Sequence, residues 1–183
     1  CGGSDDAAQT TPTLSETPTV VSGSVLPTFA GDTNDLAVGS AAPVVSGTDL
    51  FTGVAVSTAD SAAAGRPLMV MFYAHWCPHC QNEVDQVTAW LEDNSLPAGV
   101  DYVAVSTFED ATRGNHPPKA WLEREGWSLP AITDTAGSSA AEAYGVAQVP
   151  FVVTIDAAGV VRYRYGGTIG PSAMVDLANQ LLA

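Results

Sequence analysis

Apolar residues run unbroken from Leu68 to Tyr73, as suits a strand covered on both faces. The period then changes: Cys77, Cys80, Val84, Val87 and Leu91 recur three or four apart, on one face of a helix. Pro78 fits the first helical position, where its fixed φ is suitable and its missing N–H is no loss, so the spacing predicts a helix from Pro78 to about Asp93. Val100–Ser106 reads as the next buried strand, and the intervening helix makes a parallel crossover natural. Pro117 to about Glu125 reads as a helix, with Gly126 just beyond it. A short strand at Pro130–Thr133 and a helix at Ser138–Tyr144, stopped by Gly145, come next. Phe151–Asp156 and Val160–Tyr165 form a hairpin, and Pro171–Leu182 closes the chain as an amphipathic helix with Met174, Leu177, Leu181 and Leu182 inward. Ahead of the apolar run the signal is weaker. Thr48–Phe51 and Val54–Ser57 read as a small hairpin around Thr52-Gly53, and Ala59–Ala64 as a helical turn broken by Gly65-Arg66-Pro67.

Residues from Gly2 to about Asn34 hold few bulky apolar groups and many Thr, Ser and Pro. Such a segment buries too little surface to offset chain entropy, so residues 1–36 are expected to be a flexible tether and 37–183 an α/β domain. As a coil of about 35 residues the tether reaches roughly 30–40 Å. The chain has 183 residues, 46% of them hydrophobic, which suits one domain and a tail. No run approaches the roughly 18–20 apolar residues of a membrane-spanning helix. The formal net charge is −14 and no Lys or Arg precedes Arg66, which argues against nucleic acid as a partner because its phosphates would be repelled.

The chemistry concentrates in Trp76-Cys77-Pro78-His79-Cys80. A strand delivers Cys77 to the N-terminal end of a helix, where free N–H groups and the positive end of the dipole stabilise a thiolate, the form that attacks disulfides. Cys80 lies one turn later on the same face, within reach of a disulfide with Cys77. The arrangement is a dithiol switch. Cys77 is the candidate nucleophile and Cys80 the resolving thiol. His79, near the helix start, favours the Cys77 thiolate if its imidazole is protonated or donates an N–H hydrogen bond there. Stabilising the reduced form makes the disulfide a stronger oxidant. Two inert buried cysteines are the bland alternative, and structural zinc lacks a second CxxC pair. A third alternative is a copper-binding chaperone, in which Cys77 and Cys80 with His75 or His79 hold Cu(I).

With these residues the chain resembles the thioredoxin superfamily from about Val38 to its end, in the branch of membrane-anchored extracytoplasmic thiol oxidoreductases of the TlpA, ResA and DsbE type. Gly39-Ser40-Ala41-Ala42-Pro43, Asp49-Leu50, Gly53 and Val56-Ser57 resemble that branch's entry segment, and Phe72-Tyr73-Ala74-His75-Trp76-Cys77 its strand-to-motif junction. The resemblance implies a thioredoxin-like fold, a central mixed sheet flanked by helices. It implies an enzyme without a bound cofactor that exchanges a Cys77–Cys80 disulfide with exported proteins. It also implies that the Val149–Pro150 bond is cis and faces the motif, that the backbone at Val149 pairs with a bound substrate chain, and that Trp76 shapes the docking surface. The spacing CxxCxxE, which ends here at Glu83, is that branch's. A partly buried carboxylate there accepts the Cys80 proton as a mixed disulfide resolves. Cys-Pro-His-Cys itself resembles the strongly oxidising DsbA type.

The direction is therefore contested. Pro78-His79 and Val149 favour an oxidase, Glu83 and the branch a reductase such as serves cytochrome c maturation, and the reading leans to oxidation. Two positions depart from the family. Asp85 stands where relatives carry a helix-kinking proline, and Met71 where thioredoxin carries a buried aspartate. His75 is not typical and its role is open, while His116 reads as surface. Cys1-Gly2-Gly3-Ser4 resembles the start of a mature bacterial lipoprotein, which implies lipid on Cys1, anchorage at the extracytoplasmic face of the cell membrane, and a membrane redox partner that recycles the pair.

Overall fold

The computed structural model describes residues 18–31 and 34–183. Its centre is a five-stranded mixed sheet in the order β6-β5-β4-β7-β8. Strand β4 (Leu68–Tyr73) is buried at all six positions and lies between β5 (Asp101–Ser106), to which it is parallel, and β7 (Phe151–Ile155), to which it is antiparallel. Strands β6 (Ala131–Thr133) and β8 (Val161–Gly166) form the edges. A second antiparallel sheet of three short strands holds β1 (Val20–Ser22), β2 (Val44–Thr48) and β3 (Ala55–Ser57).

Alternation along β4 divides the interior into two cores. Met69, Met71 and Tyr73 meet Cys80, Val84 and Val87 of helix α2 (Pro78–Leu91), Trp121 and Leu122 of α3 (Pro118–Arg124), and Met174 and Ala178 of α5 (Gly170–Leu182). Leu68, Val70 and Phe72 face the other way, toward Val45, Leu26 and the residues Ala140, Ala141 and Tyr144 on or beside α4 (Ser139–Ala143). Phe72 is fully buried and packs on Tyr144 and Phe151, with ring centroids 5.3 and 6.4 Å apart. Truncating so enclosed an aromatic costs about 3–5 kcal/mol.

Three expectations need correction. The tether expected over 1–36 does not extend that far. Residues 1–17 lie outside the described residues, but Val20–Ser22 pairs with β2, and the Leu26 and Phe29 N–H groups donate to the carbonyls of Ala143 and Gly145. Phe29 sets its edge on Phe151 at 5.3 Å. Fully buried Arg164 of β8 fixes the segment further, donating from Nη1 to the Pro27 carbonyl at 2.9 Å and from Nε to Asp35 at 2.8 Å. These isolated apolar residues and one buried ion pair give an otherwise polar tract enough to hold. The expected strand Thr48–Phe51 is displaced too. The hairpin strand is instead β2, ending at Thr48 and paired with β3, because the Asp49 carboxylate accepts from the N–H groups of Phe51 and Thr52, turning the chain, and from Ala131. Leu182, expected inward, is 47% exposed, and Ala178 takes the buried place on α5.

Candidate active site

Strand β4 ends at Tyr73, and four residues later the chain enters α2 with Cys77 as its N-cap and Pro78 in its first turn. Cys80, Glu83, Val84 and Val87 form the buried face of that helix, while Asp85 is exposed and the helix continues through it. Both cysteines are free thiols. Cys77 is the more accessible, at 6% exposure against 0% for Cys80. Its Sγ–H donates to the Val149 carbonyl at 3.5 Å. The Val149–Pro150 bond is cis, and Pro150 is buried where β7 begins. The structure thus brings Cys77, Cys80, Val149 and Pro150 together from segments about seventy residues apart. A cavity of about 480 Å³ beside Asp49, Thr133 and Asp134 includes neither cysteine. Cys77 instead meets the backbone carbonyl of Val149.

The two thiols differ in environment. The Ala74 N–H donates to Cys80 Sγ at 3.4 Å, yet burial pushes the Cys80 thiol far above the ordinary range, helped by Cys77 and by the charge of Glu83. Glu83 is 2% exposed. Burial raises its carboxyl from 4.5 to about 7, against the opposing pull of the Ile169 and Gly170 N–H groups at the start of α5. Its Oε2 has no hydrogen-bond partner among the described residues. A carboxyl that titrates near neutrality beside a thiol that resists ionisation can exchange a proton with it.

His79 is exposed at the helix start, and no hydrogen bond ties its ring to Cys77. Trp76 is half-buried. Its indole N–H donates to the Phe108 carbonyl at 2.6 Å, and the Arg113 guanidinium lies 3.9 Å over the ring. Cys1 lies outside the described residues. Among the described residues no group of three or more His, Cys, Asp or Glu could hold a metal ion.

His75 has a role that the sequence left open. Its ring is fully buried: Nδ1–H donates to the Gly114 carbonyl at 2.7 Å, and Nε2 accepts the Asp110 N–H at 3.2 Å. A carbonyl only accepts and an amide N–H only donates, so these bonds define the neutral Nδ1–H tautomer. The His75 carbonyl accepts from Gln81 Nε2 and Asn115 Nδ2. His75 thereby latches the loop between β5 and α3, which carries Phe108 and Arg113, against Trp76. His116 is exposed, as expected, with its ring centroid 5.5 Å from that of His75. A histidine inside an apolar stretch was the only local sign.

Comparison with known proteins agrees with this geometry. Residues 37–182 match the family model described as Redoxin. The thiol:disulfide interchange protein DsbE of Haemophilus influenzae is 27% identical over 134 residues, 72% of this chain and 67% of that protein. Its namesake in Escherichia coli K12 is 28% identical over 62% of this chain, a match spanning 56% of the relative's own length. A thioredoxin-family thiol:disulfide interchange protein from Chlorobium tepidum superposes with a TM-score of 0.61 at 25% identity, covering 78% of this chain and 96% of that one. A DsbF homologue from Corynebacterium diphtheriae shares the fold, with a TM-score of 0.65 at 16% identity over 87% of this chain and all of the other. The chain belongs to the Redoxin family, and with this fold and these relatives it is a thiol–disulfide oxidoreductase.

Proposed function

We propose that Cys77 and Cys80 form the redox couple of an extracytoplasmic oxidase of protein thiols. The observation that carries this reading is the placement of the Cys77 sulfur, at the N-terminus of α2 and 3.5 Å from the Val149 carbonyl beside the cis proline. In the oxidising direction a substrate thiolate attacks Cys77 Sγ of the disulfide, forming a mixed disulfide and expelling the Cys80 thiolate. Protonated Glu83 returns a proton to Cys80. A second substrate thiolate then attacks the substrate sulfur of the mixed disulfide and releases Cys77 as a thiolate. Two electrons pass from the substrate thiols to the protein, and the charge left on Cys77 meets the free N–H groups of the first turn of α2.

Val149 offers its backbone to an extended substrate segment, and Trp76 with Arg113 forms the rim beside it. His79, exposed one residue before Cys80 in the first turn of α2, is the Pro-His element of the motif on which the oxidising lean rests. The reverse direction is favoured by one observation, the buried Glu83, which suits removal of the Cys80 proton before that sulfur attacks a Cys77 mixed disulfide. Lipid on Cys1, the expectation drawn from Cys1-Gly2-Gly3-Ser4, would keep the domain at the outer face of the membrane near exported substrates and a recycling partner. Among the described residues no helix is long and apolar enough to cross a membrane. The deciding experiment is the reduction potential of the couple measured against glutathione. A value well above the glutathione range, toward about −120 mV, supports the oxidase, whereas one near −270 mV assigns the chain to the reductases.

A further inference from the structure

Three buried polar atoms around the dithiol lack a hydrogen-bond partner among the described residues: Tyr73 Oη, Glu83 Oε2 and Trp127 Nε1. Tyr73 is the last residue of β4 and points to the same face as Met69 and Met71, the face that α2 covers. Cys80 and Glu83 are three apart on the buried face of α2, so both look onto that strand. Tyr73, Cys80 and Trp127 share one buried cluster, and burial, with the charges of Glu83 and Cys80 added, raises the Tyr73 phenol well above its ordinary value. The Trp127 ring stands edge-on to Tyr73, with centroids 5.7 Å apart, and holds the phenol in place. The remaining neighbours of the Glu83 carboxyl are the Ile169 and Gly170 N–H groups of α5 and, through Cys80, Cys77. Among the described residues no Lys, Arg, His or second carboxylate shifts it.

A buried hydroxyl and a buried carboxyl oxygen, each without a protein partner, are costly apart but can both be satisfied by one shared water. We infer that Tyr73 is a positioning residue whose hydroxyl, through a buried water, donates to Glu83 Oε2 and directs that carboxyl at Cys80. The step it serves is a proton transfer alone. The Cys80 Sγ–H bond breaks, an O–H bond forms on Glu83, and no electron moves until the resulting thiolate attacks. Glu83 receives two backbone N–H groups on its α5 side, so the hydroxyl of Tyr73 supplies the matching donor on the dithiol side. A donor to the charged carboxyl favours that form, and its loss pushes Glu83 upward. The inference rests on Glu83 exchanging a proton with Cys80.

The test loads the full chain with a glutathione mixed disulfide on Cys77 and follows its resolution by Cys80 from about pH 5 to pH 9, the range that brackets a carboxyl near 7. Wild type is compared with Tyr73→Phe, Glu83→Gln and the double variant. The Tyr73→Phe midpoint is expected about one pH unit higher, with resolution near pH 6 about tenfold slower and the alkaline plateau within about twofold of wild type. Tyr73→Phe is expected to change nothing further once Glu83 is Gln. An unmoved midpoint, or an equal slowing in the Glu83→Gln background, overturns the inference and leaves the role of Glu83 intact. A wild-type midpoint that survives Glu83→Gln overturns both, and that variant alone reveals it. If Tyr73→Phe fails to fold, 3-fluorotyrosine at position 73, a stronger donor, is expected to move the midpoint downward, and an unchanged midpoint there is equally fatal.

Discussion

Replacing Glu83 by Gln separates stability from chemistry. The carboxyl sits at about 7 in the folded protein and at 4.5 when solvated, because burial penalises its charged form. At about 1.4 kcal/mol per pH unit, holding that charge costs the native state about 3 kcal/mol. Below about pH 4.5 the carboxyl is protonated in both states and the penalty is absent. Between 4.5 and 7 the unfolded chain releases its proton first, so native stability falls as pH rises, and above 7 the loss is complete. Glutamine copies the protonated carboxyl and still accepts from Ile169 and Gly170. Any cost of its amide N–H is the same at every pH. The difference between variant and wild type should therefore grow by about 3 kcal/mol from acid to alkaline pH in favour of the variant, or about 6–12 °C in melting temperature. Because Asp35 and Asp49, both held below the usual carboxylate range, are common to the two proteins, the difference isolates Glu83. The assay is urea unfolding of the reduced proteins at several pH values, with thiol exchange measured in parallel and expected to slow. A stability difference that does not vary with pH, or one that grows toward acid, would refute the burial argument.

Two further outcomes test the supports of the site. Arg164→Met should lower stability by about 3–5 kcal/mol, because it leaves the buried Asp35 carboxylate unpaired, and adding Asp35→Asn should recover part of the loss in urea unfolding. His75→Phe removes both ring bonds to the loop between β5 and α3, at a cost of about 1–3 kcal/mol. The amides of that loop should then exchange hydrogen faster while those of β4 stay protected, which hydrogen-exchange mass spectrometry reads directly.

The junction of β4 and α2 was legible because two local patterns meet there. An unbroken apolar run ends and helical spacing begins within a few residues, with proline marking the first turn. The same logic placed the later helices and strands within a residue or two. The packing of residues 18–31 was not legible, since Leu26 and Phe29 are single apolar residues in a polar tract and their partners, from Ala143 to Arg164, lie more than a hundred positions away. Thr48 ends its strand through the tertiary bond of Asp49 to Ala131, which no window around Asp49 contains. At the site, spacing alone put Cys80 and Glu83 on one helix face. It could not show that α5 buries that face, and burial is what turns an ordinary glutamate into one that titrates near neutrality. The latch made by His75 depends on Asp110 and Gly114, about forty residues on, so the sequence presented only an unusual histidine.

The most direct test of the dithiol assignment is covalent capture. The full chain carrying Cys80→Ser or Cys77→Ser is exposed to a thiol-bearing substrate protein activated as a mixed disulfide with a small thiol, and the adducts are mapped by mass spectrometry. With Cys77 at the accessible end of α2 and Cys80 wholly buried, the Cys80→Ser chain should hold substrate through Cys77 and fail to release it. The Cys77→Ser chain should capture little. Equal capture through Cys80 in the Cys77→Ser chain, or no adduct on Cys77 at all, would contradict the assignment of the two sulfurs.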